Sequence, residues 1–234
     1  MGCEELRLVG RLAALAACVP QGARLADIGT DHAYLPIELI QNNVIISAIA
    51  GDVHNGPYKA AREHVENLGL QKKISVRLGN GLAVLSPAEV DTVAIAGMGG
   101  QTIIEILNQQ PEIVQSLKRL VLQPMVGAAA VRRWLVQNKW YLAAECLVEE
   151  DDRLYEIIIA EQGSSPAYES IMYDIGPKLW DEKPSLLALH VDQLISQTQR
   201  VLNEMEHSRN AKTSLKYQQY KERLKQLEDK RRCL

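Results

Sequence analysis

The sequence predicts an α/β protein, a doubly wound Rossmann-like parallel sheet with an antiparallel hairpin at one edge, followed by a helical hairpin. Strand-like and helix-like segments alternate from Arg24 to Glu161, which is typical of a parallel sheet covered by helices. The last two strand-like segments have no helix between them. Beyond Pro184 the apolar residues recur only at helical spacing.

The alternating region follows an amphipathic segment, Leu6–Val19, which we expect to form a helix packed on the domain. Arg7 and Arg11 interrupt its apolar residues, and it is too short and too charged to span a bilayer. Strands are then expected at Arg24–Ile28, Ile45–Val53, Ile74–Leu78, Thr92–Ala96 and Leu120–Gln123, and helices at Tyr34–Asn42, Pro57–Leu68, Thr102–Leu117 with a break at Pro111, and Ala128–Asn138.

The sheet is expected to end in a hairpin. Only five residues, the acidic run Glu149–Asp152 and Arg153, separate Trp140–Val148 from Leu154–Ala160, and so close a pair of strands is antiparallel. A linker follows at Gln162–Pro166. We therefore predict two domains, a sheet domain at residues 1–163 and a helical domain at residues 164–234.

The helical domain carries a heptad pattern, which predicts two helices packed as a coiled-coil hairpin. The seam comprises Leu187, Val191, Leu194, Thr198, Val201 and Met205 and, after a polar break at Ser208–Thr213, Tyr217, Tyr220, Leu224 and Leu227. A heptad seam closes within one chain or between two, so the pattern leaves the oligomeric state open.

Charge is distributed unevenly along the chain. The formal net charge is -3, yet residues 207–234 hold nine Lys and Arg against three acidic residues. A basic tail of this kind suits an acidic polymer such as a nucleic acid. A solvated basic helix is the alternative.

The four cysteines, Cys3, Cys18, Cys146 and Cys233, form no CxxC pair. They are typical of the reduced thiols of a cytoplasmic protein, not of a disulfide framework or a zinc site. No metal is therefore expected.

The first βα turn, within Leu25–Pro36, is the strongest functional signal. A dinucleotide site requires the pattern GxGxxG, whereas this turn has only Gly29 and places Asp31 where a pyrophosphate would lie. Repulsion between these anions disfavours NAD and FAD. S-adenosylmethionine has no phosphate, and its cationic sulfonium and ammonium groups suit Asp27 and Asp31.

Polar residues also end the next two strands. Asp52 lies 23 residues after Gly29, where an acid can accept both hydroxyls of a ribose. Asn80 and Gly81 follow the third strand, and an amide side chain can both donate to and accept from an adenine edge. The structural alternatives are a helix cap at Asp52 and a simple turn at Asn80-Gly81.

The fourth strand runs into the glycine-rich segment Ala96–Gly100, whose three glycines allow a flat ring to approach closely. Gln123 and Pro124 end the fifth strand across the same crevice. A tight turn and a strand cap are the structural alternatives. We assign Gly97 and Met98 to the cofactor, and Gly99, Gly100, Gln123 and Pro124 to the substrate.

Together these segments resemble the bacterial TrmK family of tRNA (adenine-N1)-methyltransferases. The resemblance rests on LADIGTDHAYLP at 25–36, Gly51-Asp52, Asn80-Gly81-Leu82, AGMGG at 96–100, Leu122-Gln123-Pro124 and Tyr155-Glu156-Ile157. It implies a class I methyltransferase sheet, S-adenosyl-L-methionine as donor, and N1 of the adenine at position twenty-two of tRNA as acceptor. The family usually has Asn after Leu-Gln-Pro, where this chain has Met125.

The chemistry that the resemblance implies needs alignment more than proton removal, because N1 of adenine keeps a free lone pair at neutral pH. We expect Asp31 to stabilise the cationic product base, with His32 and Tyr34 shaping the pocket. Lys216, Lys221, Arg223 and Lys225 are the candidate contacts to tRNA. The alternatives are a methyltransferase for another RNA or a small molecule, and a non-catalytic module that binds S-adenosylmethionine or RNA.

Overall fold

The computed structural model describes residues 8–207, 212 and 214–234. The chain divides into two compact units between Pro166 and Ala167, three residues beyond the boundary that the linker composition predicts. Within the described residues no helix is long and apolar enough to cross a membrane.

A seven-stranded sheet forms the centre of the first unit, and the predicted fold class is confirmed. Its strands are β1 (Ala23–Ile28), β2 (Ile45–Asp52), β3 (Ile74–Leu78), β4 (Thr92–Met98), β5 (Arg119–Pro124), β6 (Trp140–Glu150) and β7 (Arg153–Gln162). The spatial order is β3-β2-β1-β4-β5-β7-β6. Strands β1 to β5 are parallel, and β7 runs antiparallel to both β5 and β6.

Six α-helices precede or follow the parallel strands along the described chain of this unit. They are α1 (Gly10–Ala17), α2 (Tyr34–Gln41), α3 (Asn55–Asn67), α4 (Gly100–Gln109), α5 (Pro111–Ser116) and α6 (Ala128–Gln137), with a short 3-10 helix at Gly81–Val84. The break predicted at Pro111 is confirmed, since a proline has no N–H to continue the ladder and suits the first turn of α5. Leu6 and Arg7 of the predicted first helix lie outside the described residues.

Parallel strands buried on both faces explain the continuous apolar runs of β1, β4 and β5. The pairing register places the carboxyl ends of three strands side by side. Ile28 at the end of β1 pairs with Gly51 of β2 on one side and with Ile95 of β4 on the other. The strand order changes direction between β1 and β4, which is where ligands bind in open α/β sheets.

One fully buried cation joins α6 to the hairpin. Arg132 contacts Glu145 of β6 and Glu156 of β7, each at 2.5 Å. Burial opposes ionisation of Arg132, but the two carboxylates outweigh it and raise the pKa of the guanidinium. Nothing in the spacing of these three residues predicts the cluster from sequence.

The second unit contains α7 (Ser170–Ile175), α8 (Pro177–Glu182), α9 (Leu187–Glu206) and α10 (Leu215–Arg231). Helices α9 and α10 are antiparallel, because Asp192 near the start of α9 pairs with Arg231 at the end of α10, and Tyr217 donates to Glu206 at the opposite end. Residues Leu187, Val191, Thr198, Leu202 and Leu227 are buried. The predicted break at Ser208–Thr213 lies mostly outside the described residues, and the coiled-coil geometry stays a prediction.

We expect the substitution Arg132→Met to lower the free energy of unfolding by about 3 kcal/mol, because it leaves two carboxylates buried without their cation. Urea denaturation measures the loss. The matched control is Arg62→Met, which breaks an exposed pair with Glu66 and should cost less than about 0.5 kcal/mol. Equal losses in the two variants would contradict this role for Arg132.

Candidate functional site

A cavity of about 520 Å³ opens at the carboxyl edge of the sheet, between the ends of β1, β2 and β4. This volume is typical of small-molecule sites. Six of the predicted residues line it, namely Gly29, Asp52, Asn80, Gly81, Gly97 and Met98. The sequence therefore predicted which strand ends form the cavity.

The far wall of this cavity comes from α4, which the sequence reasoning did not include. Thr102, Glu105, Ile106 and Gln109 face the cavity at spacings of three and four, the interval that puts residues on one helix face. That spacing was the available signal, but nothing in it distinguishes a ligand-facing stripe from a solvent-facing one.

A second cavity of about 250 Å³ adjoins the first and shares Gly29, Ala96 and Gly97 with it. Its charged lining residues are Asp27, Asp31 and Arg11. We call the two adjoining cavities together the groove: the larger, at the β2 and β3 end, is the wide cavity, and the smaller, at the α1 end, is the narrow cavity. Such a groove can hold a nucleoside that carries a charged chain.

The turn after β1 is fixed to β2 through one carbonyl group. The oxygen of Gly51 accepts from the N–H of Gly29 at 2.8 Å and from that of Thr30 at 3.1 Å. Beside it, the Asp52 side chain is largely buried and accepts from the N–H of His54 at 2.9 Å. Asp52 is thus held rigidly in the cavity wall.

Asp27 is a buried carboxyl group in the wall of the smaller cavity. Burial raises its pKa from 3.8 to about 6, and the neighbouring Asp52 adds to the rise, although Thr30 opposes it by donating a hydrogen bond of 2.6 Å. A cation placed beside Asp27 would relieve this cost by favouring the ionised form.

The first turn has an unusual backbone. Asp31 and Ala33 have φ angles of +55° and +58°, a region that costs a residue with a side chain of order 1 kcal/mol or more. The Asp31 side chain is 68% exposed, with its carboxylate 3.6 Å from His32 Nε2. The turn therefore presents Asp31 to the open side of the groove.

An aromatic cluster stands beside Asp31. The ring of His32 stacks on Tyr34 at 5.2 Å, and His64 of α3 meets Tyr34 edge-on at 5.3 Å. His64 also contacts the carbonyl oxygen of His32 through Nδ1 at 3.0 Å. The sequence reasoning missed His64, whose position on the inner face of α3 is equally typical of a packing residue.

Gln123 has a different role from the predicted contact with a substrate base. Its side chain is fully buried, and Oε1 accepts from Arg11 Nη1 at 2.8 Å and from the N–H of Gly97 at 3.0 Å. Its Nε2 points at the Met125 sulfur at 3.6 Å. The structure makes Gln123 a positioning residue that holds Gly97 and Arg11.

Arg11 is the functional candidate that the sequence reasoning missed. Its backbone N–H and its guanidinium contact Glu150 at 3.1 and 3.7 Å, and the guanidinium lies 5.4 Å from the Tyr155 ring centroid. Its Nε is buried without a hydrogen-bond partner. In the sequence it is one of two arginines in an amphipathic helix, so no local signal separates it from a surface residue.

Two predicted substrate residues are also packed. Pro124 is buried, and a methyl group added at Gly100 would lie 2.6 Å from the oxygen of Gly127. Gly100 is thus required for close packing of α4 against the turn that precedes α6. Gly99 stays near the surface, where an added methyl group would be 3.9 Å from Val126.

The basic residues of α10 divide into two groups. Lys216, Lys221 and Lys225 are exposed. Arg223 instead forms an ion pair with Asp174 of α7 at 3.2 Å, and its side chain is 28% exposed. The three lysines remain candidate contacts to an acidic polymer, while Arg223 connects the helices of its own unit. In the described part of the chain, no His, Cys, Asp and Glu residues cluster as a metal site would need.

One family of known proteins matches most of this chain. The profile of the TrmK family, described as tRNA (adenine(22)-N(1))-methyltransferase, matches residues 25–229. The chain is 37% identical to the Bacillus subtilis enzyme of that description over 99% of this chain and 97% of the relative.

Solved structures agree with that match. A putative tRNA (m1A22) methyltransferase of Streptococcus pneumoniae in complex with S-adenosyl-L-methionine is 34% identical with a TM-score of 0.84, covering 94% of this chain and 97% of that one. M. capricolum TrmK with S-adenosyl-homocysteine is 31% identical with a TM-score of 0.83, covering 96% and 97%.

The raised pKa of Asp27 predicts a pH-dependent stability. Because the folded protein binds this proton more tightly than the unfolded chain, stability falls as the pH rises from 3.8 to about 6. At pH 7.5 we expect Asp27→Asn to raise the free energy of unfolding by about 1–3 kcal/mol. The gain should vanish near pH 4, and urea denaturation at both pH values measures it. A variant that is less stable than the wild type at pH 7.5 would contradict the assignment.

Proposed function

The chain belongs to the TrmK family of tRNA (adenine(22)-N(1))-methyltransferases, and we propose that it methylates N1 of the adenine at position twenty-two of tRNA through the groove at the carboxyl edge of its sheet. One observation carries this proposal: the groove combines a nucleoside-sized cavity, a carboxylate at the end of β2, and a narrow charged extension. S-adenosyl-L-methionine combines a nucleoside with a chain bearing sulfonium, ammonium and carboxylate groups.

The wide cavity binds the adenosine half. Asp52 accepts the two ribose hydroxyls, as acids at the end of the second strand do in nucleoside sites. Asn80 and the N–H groups that follow it meet the adenine edge, with Ile106 of α4 covering one face of the ring. The 3-10 helix that begins at Gly81 holds this wall in place.

The narrow cavity binds the amino-acid half. Asp27 takes the ammonium group, which removes the cost of its own burial and lowers its pKa toward the ordinary value. Arg11 takes the carboxylate, which the two acids of this cavity would repel. Arg11 lines this cavity, and the hydrogen bond of 2.8 Å from its Nη1 to Gln123 holds the guanidinium in place, which supports this assignment.

When bound, S-adenosyl-L-methionine supplies an electrophilic methyl group on a cationic sulfur. The chain's own residues align the acceptor with that methyl group, and alignment alone contributes about 7–11 kcal/mol in well-oriented reactions. Asp31, on the open side of the groove, stabilises the positive charge that develops on the adenine. His32 and Tyr34 form the adjoining wall, and His64 holds their rings in place.

The tRNA contacts extend to the second unit. Lys216, Lys221 and Lys225 neutralise phosphates, which is how basic residues supply most of the affinity for nucleic acid. The sheet unit, residues 1–163 by the predicted boundary, performs the transfer, and the helical unit binds tRNA. We place the protein in the cytoplasm, where its tRNA substrate is found.

The test is transfer of a labelled methyl group from S-adenosyl-L-methionine to an unmodified tRNA transcript. We expect one methyl group at N1 of adenine twenty-two, and none when guanine occupies that position. Asp31→Asn should lower kcat by about 100-fold, the usual loss when a charge that stabilises the transition state is removed. Asp52→Ala should weaken cofactor binding by at least about tenfold, since it loses charge-assisted hydrogen bonds.

The matched control is Glu66→Gln, an exposed acid on α3 outside the groove. It should leave both quantities within a factor of about two of the wild type. Absence of methyl transfer to any tRNA would overturn the proposed function. Normal kcat in Asp31→Asn, or normal cofactor affinity in Asp52→Ala, would overturn only the residue assignment.

The lysine assignment predicts a change in salt dependence. Replacing Lys216, Lys221 and Lys225 by Gln should weaken tRNA binding and reduce the slope of log K against log salt by about 2–3, close to 0.9 for each lost phosphate contact. The control triple variant replaces the exposed Lys72, Lys73 and Lys118, which lie at the amino edge of the sheet. Equal slopes for the two triple variants would show that α10 does not contact phosphates.

A further inference from the structure

The turn between β5 and α6 exposes two adjacent apolar side chains. Met125 is 41% and Val126 is 71% exposed. Single exposed apolar residues are ordinary, but this pair occurs where the family pattern at the end of β5 has a polar residue. The contacts of the turn with the groove indicate a role for this pair.

The turn is held rigidly against the mouth of the groove. The N–H of Met125 donates to the oxygen of Met98 at 2.8 Å, and the N–H of Gly100 donates to the oxygen of Val126 at 2.8 Å. Met98 itself lines the wide cavity. A methyl group added at Gly99 would be 3.9 Å from Val126 Cγ2, so the valine lies directly beside the glycine-rich segment.

Two further features fix the turn. Gly127 has a φ angle of +77°, which bends the chain back into α6, and its carbonyl oxygen is in close contact with Gly100. The buried Gln123 amide points Nε2 at the Met125 sulfur at 3.6 Å. Val126 is therefore an exposed apolar side chain on a turn that backbone hydrogen bonds hold in place. This is the arrangement needed to insert a side chain between stacked rings.

We propose that Val126, supported by Met125, is a wedge that enters the base stack of the tRNA and takes the place of the target adenine when it turns into the groove. This inference rests on the proposed function, because only transfer to a stacked base requires the base to leave its stack. Apolar side chains that unstack bases in this way are known from DNA-bending proteins. A valine contacts the vacated ring face without competing for hydrogen bonds, so it is indifferent to the identity of the neighbouring base.

If Val126 is the wedge, its replacement should lower activity only on a tRNA in which the target adenine is stacked on its neighbour. The methyl-transfer step itself should be unchanged. On a folded tRNA transcript, Val126→Ser should lower kcat/KM by about tenfold, because the variant no longer fills the space that the target adenine leaves in the stack. On a transcript with an abasic nucleotide next to position twenty-two, the variant and the wild type should be equally active. Val126→Leu should retain activity on both substrates, and cofactor affinity should not change in either variant.

A fluorescent base reports the same step without turnover. With 2-aminopurine at position twenty-two and S-adenosyl-homocysteine present, the wild type should raise the fluorescence on binding, and Val126→Ser should raise it much less. The matched control is Ile46→Ser, an exposed apolar residue at the amino edge of the sheet, which should match the wild type in both assays.

The outcomes separate the wedge from the proposed function. A wild-type enzyme that methylates neither transcript overturns the proposed function. A wild type that methylates both, together with a Val126→Ser variant that is unaffected or equally impaired on both, overturns the wedge alone. A loss of the same size in Ile46→Ser also overturns the wedge, because it would mark a general effect of exposed serine.

Discussion

The carbonyl oxygen of Gly51 accepts two hydrogen bonds from the turn after β1, from Gly29 and from Thr30. This contact joins the ends of two neighbouring strands, so it holds together the strand that carries the buried Asp27 and the strand that ends in Asp52. A methyl group added at Gly51 would be 3.0 Å from Val84, so a side chain at this position requires Val84 to shift. Under the proposed function, a wider gap between β1 and β2 would separate the parts of the groove that bind the two halves of the cofactor.

Several residues of the groove lower the stability of the ligand-free protein. Asp27 is buried with a hydroxyl as its hydrogen-bond partner, and Asp31 and Ala33 adopt left-handed backbone angles. A cationic ligand beside Asp27 would reduce the cost of burying that carboxylate, which under the proposed function favours a charged ligand over a neutral analogue. By contrast, the buried Arg132 is neutralised by two carboxylates of the protein itself and needs no ligand. A buried charged side chain thus serves ligand recognition at Asp27, under the proposed function, and rigidity of the fold at Arg132.

Residues whose role follows from their position at a strand end could be predicted from the sequence. Gly29, Asp52 and Asn80 each follow an apolar run, and parallel topology brings such ends together. Arg11 lines the groove and His64 packs against Tyr34 beside it. Neither could be predicted, because both come from helix faces where the same residue types usually meet solvent. Gln123 was placed on the correct strand end, but its burial depends on Arg11 and Gly97, which no local pattern connects to it. The short helices α7 and α8 were missed because six residues carry too little periodicity.

The contact between Arg11 and Glu150 joins residues 139 positions apart. A chain emerging from the ribosome therefore makes its first helix long before it makes the strand that anchors it. The wall of the narrow cavity closes only after β6 and β7 have been added to the sheet, so in a partly synthesised chain Arg11 is present but is not yet held by Glu150. The contact that orients Arg11 therefore forms late in synthesis, after all the parallel strands have been made.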